Sequence, residues 1–335
     1  MRRVLVPSDI DPAGPALGGQ LHLLQGRTMG TNWSVQFVGP ATPDLIGWER
    51  GIQAQLDAVV AEMSTWEPGS NLSRFNRAAA GTWQVMPPAC FDVFMQGLDV
   101  ARRSGGACDP AAGALVNLWG FGPTRRHDEP GFQPPGTSDV QAARQRGGWQ
   151  RLRVDAANSR VLQPGGVELD FSGIAKGFGV DQVAAYLSGR GVRDHLVEVG
   201  GELRGTGMKP DGQPWWVALE TPPGTALDET VVALHGLSVA TSGDYRRFFD
   251  WAGRRHSHTI DPRDGLPVRN GVASVTVLHR ACMLADAWST ALTVLGPDEG
   301  LSLADREGLA AHMIVRDHEG RLFERWSGAF EDMMS

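Results

Sequence analysis

Lys176 sits in a run of small residues, FSGIAKGFG, between an apolar stretch that meets Asp170 and a helical pattern that resumes toward Leu187. A strand ending in a glycine-broken turn leaves backbone N–H groups free at the start of the next helix, where the macrodipole favours an anion. Lys176 adds a full positive charge there, so the segment has the layout of a phosphate site. An ordinary strand-to-helix connection with a solvated lysine fits the same residues. Deciding between them takes a second segment.

That segment is ACMLADAWSTALTVL, Ala281 to Leu295, apolar on nearly every side except at Asp286, Ser289, Thr290 and Thr293. Asp286, Thr290 and Thr293 fall at i, i+4 and i+7, so one stripe of a buried helix presents a carboxylate and a hydroxyl one turn apart. An uncompensated buried carboxylate demands a partner. A hard cation such as Mg²⁺ satisfies both oxygens; the plainer alternative has Asp286 bonded to a backbone end and Thr290 bonded to its own i−4 carbonyl. Further on, His256 and His258 alternate in RRHSHTIDPRDG. No other Cys or His cluster lies close by, which favours one histidine in acid/base or phosphate-contacting work over a zinc site.

Other chemistries are excluded by what the motifs lack. There is no GxSxG elbow and no HExxH, and Gly177 follows Lys176 where a P-loop needs Ser or Thr. Gly173, Gly177 and Gly179 have the wrong intervals for a GxGxxG dinucleotide turn. Cys90, Cys108 and Cys282 are widely spaced and suggest neither a disulfide framework nor a thiolate cluster. The net charge of −7 speaks against a nucleic-acid partner. No run approaches the ~18 apolar residues of a transmembrane helix. With no apolar leader visible, the chain as it stands is expected in the cytoplasm, or in the periplasm if its true start lies upstream.

The elements that must position these groups follow from periodicity. Residues 1–20 are expected to be irregular, and one compound domain is expected over 21–330. A strand is predicted over 32–38, after the turn-like GRTMGT. Thr42-Pro43-Asp44 predicts a helix start capped at Thr42 with proline first, and Ile52, Leu56, Val59, Val60 and Met63 mark its inner face. A second helix is predicted over 88–103, stopped by Gly105-Gly106, and 121–137 reads as a loop. From Trp149 onward short strands dominate, with hairpins about Asn158-Ser159 and His318-Glu319-Gly320 and helices near 177–190, 281–295 and 298–307. With 43 glycines and 21 prolines, the chain should turn often. Strands in succession with segregated helices argue for α+β architecture with mixed or antiparallel sheets and flanking helices.

Seven segments in order, GRTMGT, STWEPGSNLSRFN, DPAAGALVNLWGFG, ELDFSGIAKGFGVD, VEVGGELRGTG, SHTIDPRDG and DAWSTAL, resemble the ApbE family of FAD:protein FMN transferases. The resemblance covers about residues 26 to 325. It implies an ApbE-like fold, FAD as donor substrate, Mg²⁺ as cofactor, and transfer of FMN to a Ser or Thr hydroxyl of a target flavoprotein with release of AMP. It places Met29 beside the flavin and Trp66 where the family sets an aromatic, usually tyrosine, against FAD. Ala107, Cys108 and Asp109 would line the adenosine side, with Cys108 where the family often has an aromatic residue. Asp170, Lys176 and Ile260 complete the implied FAD contacts, and Asp286, Thr290 and the Gly173 carbonyl the implied metal ligands. His258 is the candidate acid/base, with the Asp286 carboxylate as the alternative. Two other functions share such a site: an FAD pyrophosphatase yielding FMN and AMP, and a flavin-binding protein without catalysis.

Overall fold

The computed structural model describes residues 2–7 and 19–334. Its centre is an eight-stranded antiparallel sheet whose strands lie side by side in chain order: Gln20–Thr28, Thr31–Gly39, His195–Val199, Glu202–Thr206, Leu237–Gly243, Val272–His279, Ala310–Arg316 and Leu322–Trp326. Antiparallel neighbours need only a hairpin between them, and three connections are that short. Met29 (φ 48°) and Gly30 (φ 72°) make the first, with the left-handed pair that matches strand twist. Gly200 (φ 63°) and Gly201 (φ 104°) make the second, and residues 317–321 the third, around the expected Gly320. The remaining connections carry the helices and small sheets as insertions, which makes the fold α+β as expected.

Alternation decides which side of the sheet each insertion covers. Val239 and Leu278 join one core cluster while their neighbours Ala240 and Val277 join another, so the sheet is buried on both faces. One face carries the helices Ala175–Gly189 and Cys282–Glu307. Leu45–Met63 packs beside them through Ile52, Leu56, Val59 and Met63, the predicted inner face. Its cap is Asp44 rather than Thr42, because the Asp44 carboxylate takes the Gly47 N–H at 2.9 Å. Pro88–Arg103 lies as predicted, with Phe91, Phe94, Leu98 and Ala101 buried. The last long helix breaks at Gly296 (φ 80°) before Pro297, at the boundary expected between two helices.

The opposite face is covered by Leu5, Trp215, Val232, Leu234 and Phe330. Here the N-terminal expectation is corrected. Arg2–Leu5 is a strand, parallel to Glu229–Leu234 and tied to the sheet by Arg3, whose guanidinium bonds Glu324 at 2.5 and 2.6 Å. The expectation for residues 8–18 lies outside the described residues. A strand at Gln20–Thr28 was not anticipated; it is a sheet edge with Leu21 and Leu23 exposed, so its apolar residues show no single buried face. The expected hairpin at Asn158-Ser159 is present, with Ser159 at φ 45° between Arg153–Asp155 and Arg160–Gln163. No helix among the described residues is long and apolar enough to cross a membrane.

Candidate active site

The two central helices meet at their N-terminal ends. Gly177 permits it: a Cβ there would lie 2.7 Å from Met283 Cα, inside any real contact distance. Each helix lacks a capping side chain of its own and takes one from the other. Asp286 Oδ2 accepts the Gly177 N–H at 3.1 Å, and Asp181 accepts those of Cys282 and Met283, each at 3.0 Å. The anion at the start of Ala175–Gly189 is therefore a protein carboxylate. The preceding residues 167–170 belong to no strand; Leu169 donates its N–H to Asn76 Oδ1 at 2.7 Å and Asp170 its N–H to the Pro110 carbonyl at 2.8 Å. That corrects the strand reading, because the apolar run serves core packing without a partner strand.

Lys176 joins two acidic side chains. Its ammonium pairs with Glu202 Oε1 and stands 3.9 Å from Asp286 Oδ1, while 32% of its side chain still faces solvent. Desolvation works against the ammonium, but Asp286 and Glu202 outweigh it and push its pKa up. Burial raises Asp286, with Lys176 and the Gly177 N–H opposing it. Burial likewise lifts Glu202 to about 7. Glu202 was not among the expected site residues, although a carboxylate directly after Gly200-Gly201, at the start of a strand, was a visible signal.

Thr290 stands where a metal ligand was expected. Gly173 backs onto it so closely that a Cβ would lie 2.9 Å from Thr290 Oγ1. The Thr290 hydroxyl is 3.4 Å from Ser242 Oγ, which bonds Ser289 Oγ at 2.8 Å. Thr293, placed on the same stripe, instead donates to the Ser289 carbonyl at 2.8 Å and is buried. Seven residues rise about 10 Å along a helix, so Thr293 shares the face of Asp286 but lies two turns away from it. Carboxylate, hydroxyl and carbonyl are hard oxygen donors, and Asp286 shares its one ammonium with Glu202. Gly173, Asp286 and Thr290 therefore fit a hard divalent cation.

Asp109 and Asp170 are neighbours through the intervening backbone. Asp109 accepts N–H bonds from Ala111 at 2.8 Å and Trp149 at 3.0 Å, and burial lifts its pKa to about 6. Cys108 lies within the field of Asp109, Asp286 and Asp170; burial first and these charges second push its thiol up to about 12. The thiolate form is therefore disfavoured there. Ala107 is buried in the core. A cavity of about 620 Å³ opens beside Asp109, walled by Gly105, Gly106, Trp149, Pro262 and Arg263. That is within the usual size range for a small-molecule site.

Met29 reaches helix Ala175–Gly189, where a Cβ on Gly179 would lie 3.2 Å from its Cε. Trp66 is 47% exposed, with the Arg126 guanidinium 5.8 Å above its ring. The Ile260 side chain packs with Trp119, Phe121 and Val140 in a satellite core, and its backbone lies in the short ladder of Ile260–Asp261 with Leu266–Pro267. His258 lies just past the strand Arg254–Ser257, and its Nδ1 is 3.0 Å from the Arg247 carbonyl. Desolvation and the charge of Arg247 lower its pKa to about 4, with Lys176 and Arg246 adding to the effect. It is a neutral imidazole at pH 7. His256 serves packing instead, stacking on Phe249 at 4.9 Å and Trp119 at 5.4 Å, away from any pairing with His258. Among the described residues no group of three or more His, Cys, Asp or Glu is placed to hold a metal ion.

Comparison with known proteins gives consistent results. The model of the ApbE family matches residues 29–313. The FAD:protein FMN transferase of Klebsiella pneumoniae is 37% identical over 322 residues, covering 94% of this chain and 89% of that protein. That of Haemophilus influenzae is 38% identical, covering 92% and 90%. Among solved structures, the apo flavinyl transferase ApbE of Pseudomonas stutzeri superimposes with a TM-score of 0.86 at 38% identity, covering 94% of this chain and 97% of that one. The flavin transferase ApbE of Vibrio cholerae gives 0.85 at 34%, covering 94% and 99%.

Proposed function

Because this chain belongs to the ApbE family, we propose that it is an FAD:protein FMN transferase whose diphosphate site is built around Lys176, Asp286, Thr290 and Gly173. FAD is the donor substrate. The acceptor is a Ser or Thr hydroxyl of a target flavoprotein: its oxygen forms the new bond to the FMN phosphorus, the diphosphate bridge breaks, and AMP leaves with the bridging oxygen. Asp286, Thr290 and the Gly173 carbonyl would hold Mg²⁺, which would supply Lewis-acid charge against the diphosphate.

The chain's own groups do the rest. Lys176 sets a positive charge where the leaving phosphate gains negative charge. His258 donates its Nδ1 proton to the Arg247 carbonyl, which leaves Nε2 unprotonated as acceptor for the proton of the attacking hydroxyl. Asp286 is the weaker candidate for that role, since Oδ2 already accepts the Gly177 N–H. Asp109 and Asp170, with the backbone of residues 107–109, line the adenosine side, and Met29 and Trp66 the flavin side. Trp66 offers the stacking face of the family's tyrosine without its phenol.

The observation that carries this reading is the convergence of Lys176, Asp286, Thr290 and Gly173 from two chain segments more than a hundred residues apart. The test is incubation with FAD, Mg²⁺ and a flavoprotein bearing the acceptor hydroxyl, followed by denaturing electrophoresis. A covalent fluorescent flavin band with stoichiometric AMP supports transfer. Free FMN and AMP without a band mark a pyrophosphatase, and retained intact FAD marks a binding protein.

A further inference from the structure

Glu202 takes no part in the transfer steps above, yet it is 2% exposed, and its Oε2 has no hydrogen-bond partner. Burying a carboxylate is costly, and packing the strand Glu202–Thr206 would be served as well by an apolar side chain. What the carboxylate does is hold Lys176. The ammonium pairs with Glu202 Oε1 and stays 3.9 Å from Asp286 Oδ1, beyond hydrogen-bond reach.

The turn that carries Glu202 is itself clamped. Arg246 donates from Nη1 to the Gly200 carbonyl at 2.8 Å, and a Cβ on Gly201 would lie 2.7 Å from its Nη2. Arg246 is ion-paired with Glu220, bonding from Nε at 2.9 Å; its charge also reaches Glu202, but the side-chain hydrogen bond that Glu202 accepts comes from Lys176. Without Glu202, the ammonium would face Asp286 as its one paired carboxylate and would close on it. That would occupy the oxygen a divalent cation needs.

Resting on the cation reading above, we propose that Glu202 is a positioning residue that draws the Lys176 ammonium away from Asp286 and so keeps that carboxylate open to the divalent cation. One lysine then has two possible roles. Held by Glu202 it meets the diphosphate; released, it competes with the metal.

The test is calorimetric titration of the full chain with MgCl₂ alone, in wild type, Glu202→Gln, Lys176→Met and the double variant. Glu202→Gln should bind Mg²⁺ about tenfold or more weakly, the range usual for groups that orient metal ligands. The double variant should regain wild-type affinity or better, because no ammonium remains to compete. A loss from mere misfolding would persist in the double variant. Glu202→Asp keeps the charge but withdraws it by one methylene and should give an intermediate affinity, which decides the matter even if Glu202→Gln does not fold. Equal affinity in wild type and Glu202→Gln, or a loss that Lys176→Met does not relieve, overturns the proposal. Absence of Mg²⁺ binding by the wild type overturns the cation reading and this inference with it.

Discussion

Asp181 and Asp286 exchange places across the two central helices: each lies on one helix and accepts backbone N–H bonds at the start of the other. The arrangement locks the helix ends together at Gly177 and fixes the Asp286 carboxylate next to Lys176. The two aspartates differ in what else they meet. Asp181 is paired by Arg204 at 2.5 Å, whereas Asp286 faces Lys176 across 3.9 Å.

Asp286→Asn should lower the rate of covalent flavin transfer by about 10²- to 10³-fold, the usual cost of losing one preorganised charge contact to a reacting group. Its amide oxygen can still accept the Gly177 N–H, so thermal unfolding should shift little. Rates measured against MgCl₂ should lose their metal dependence, and chelation by EDTA should reduce wild type to the level of the variant.

Asp181→Ala should instead act on stability, costing about 1–2 kcal/mol for the lost cap of Cys282–Glu307. Urea unfolding checks this. A variant with unchanged midpoint would show that the two bonds contribute nothing net.

Gly177→Ala should destabilise by about 1–3 kcal/mol through overpacking against backbone at Met283. Separation of the helices would also move Asp286 from the Gly177 N–H. The melting temperature and the Mg²⁺ requirement should therefore change together.

His258 is held well below the usual imidazole range, at about 4. Its neutral form is the proton acceptor, so it is competent above pH 4 and lost as pH falls through 4. The acidic limb of kcat/KM should lie near pH 4 rather than near 6.5. His258→Ala should lower the rate by about 10²- to 10⁴-fold and abolish that limb.

Glu324 is pulled down to about 2, where the bonds from His312 and Arg3 outweigh desolvation. A depressed carboxylate contributes stability that is complete above its unfolded pKa near 4.5 and lost as pH falls toward 2. Glu324→Gln should thus lower stability at pH 7 by about 2 kcal/mol. The difference from wild type should shrink as pH drops below 4.5, as read by urea unfolding.

Much of this architecture was legible from spacing. The helices at 45–63, 88–103, 175–189 and 282–307 declare themselves by apolar residues at helical intervals, and the break at Gly296-Pro297 by residue type. Hairpins at Ser159 and Gly320 follow from turn residues. The strands Arg2–Leu5 and Gln20–Thr28 were hidden because one depends on a partner more than 200 residues away and the other lies at an exposed edge.

For the site, the sequence by itself determined which residues share a helix face. Asp286 and Thr290 stand one turn apart wherever that helix is placed, and Lys176 opens its helix among glycines small enough for close approach. Tertiary structure alone decided what those groups meet. The pairing of Lys176 with Glu202, the seating of Gly173 on Thr290 and the bond from His258 to Arg247 join residues with no periodic relation. Burial then set their charge states. Local spacing is dictated by backbone geometry, but desolvation and ion pairing exist only once distant segments exclude water around the same few atoms.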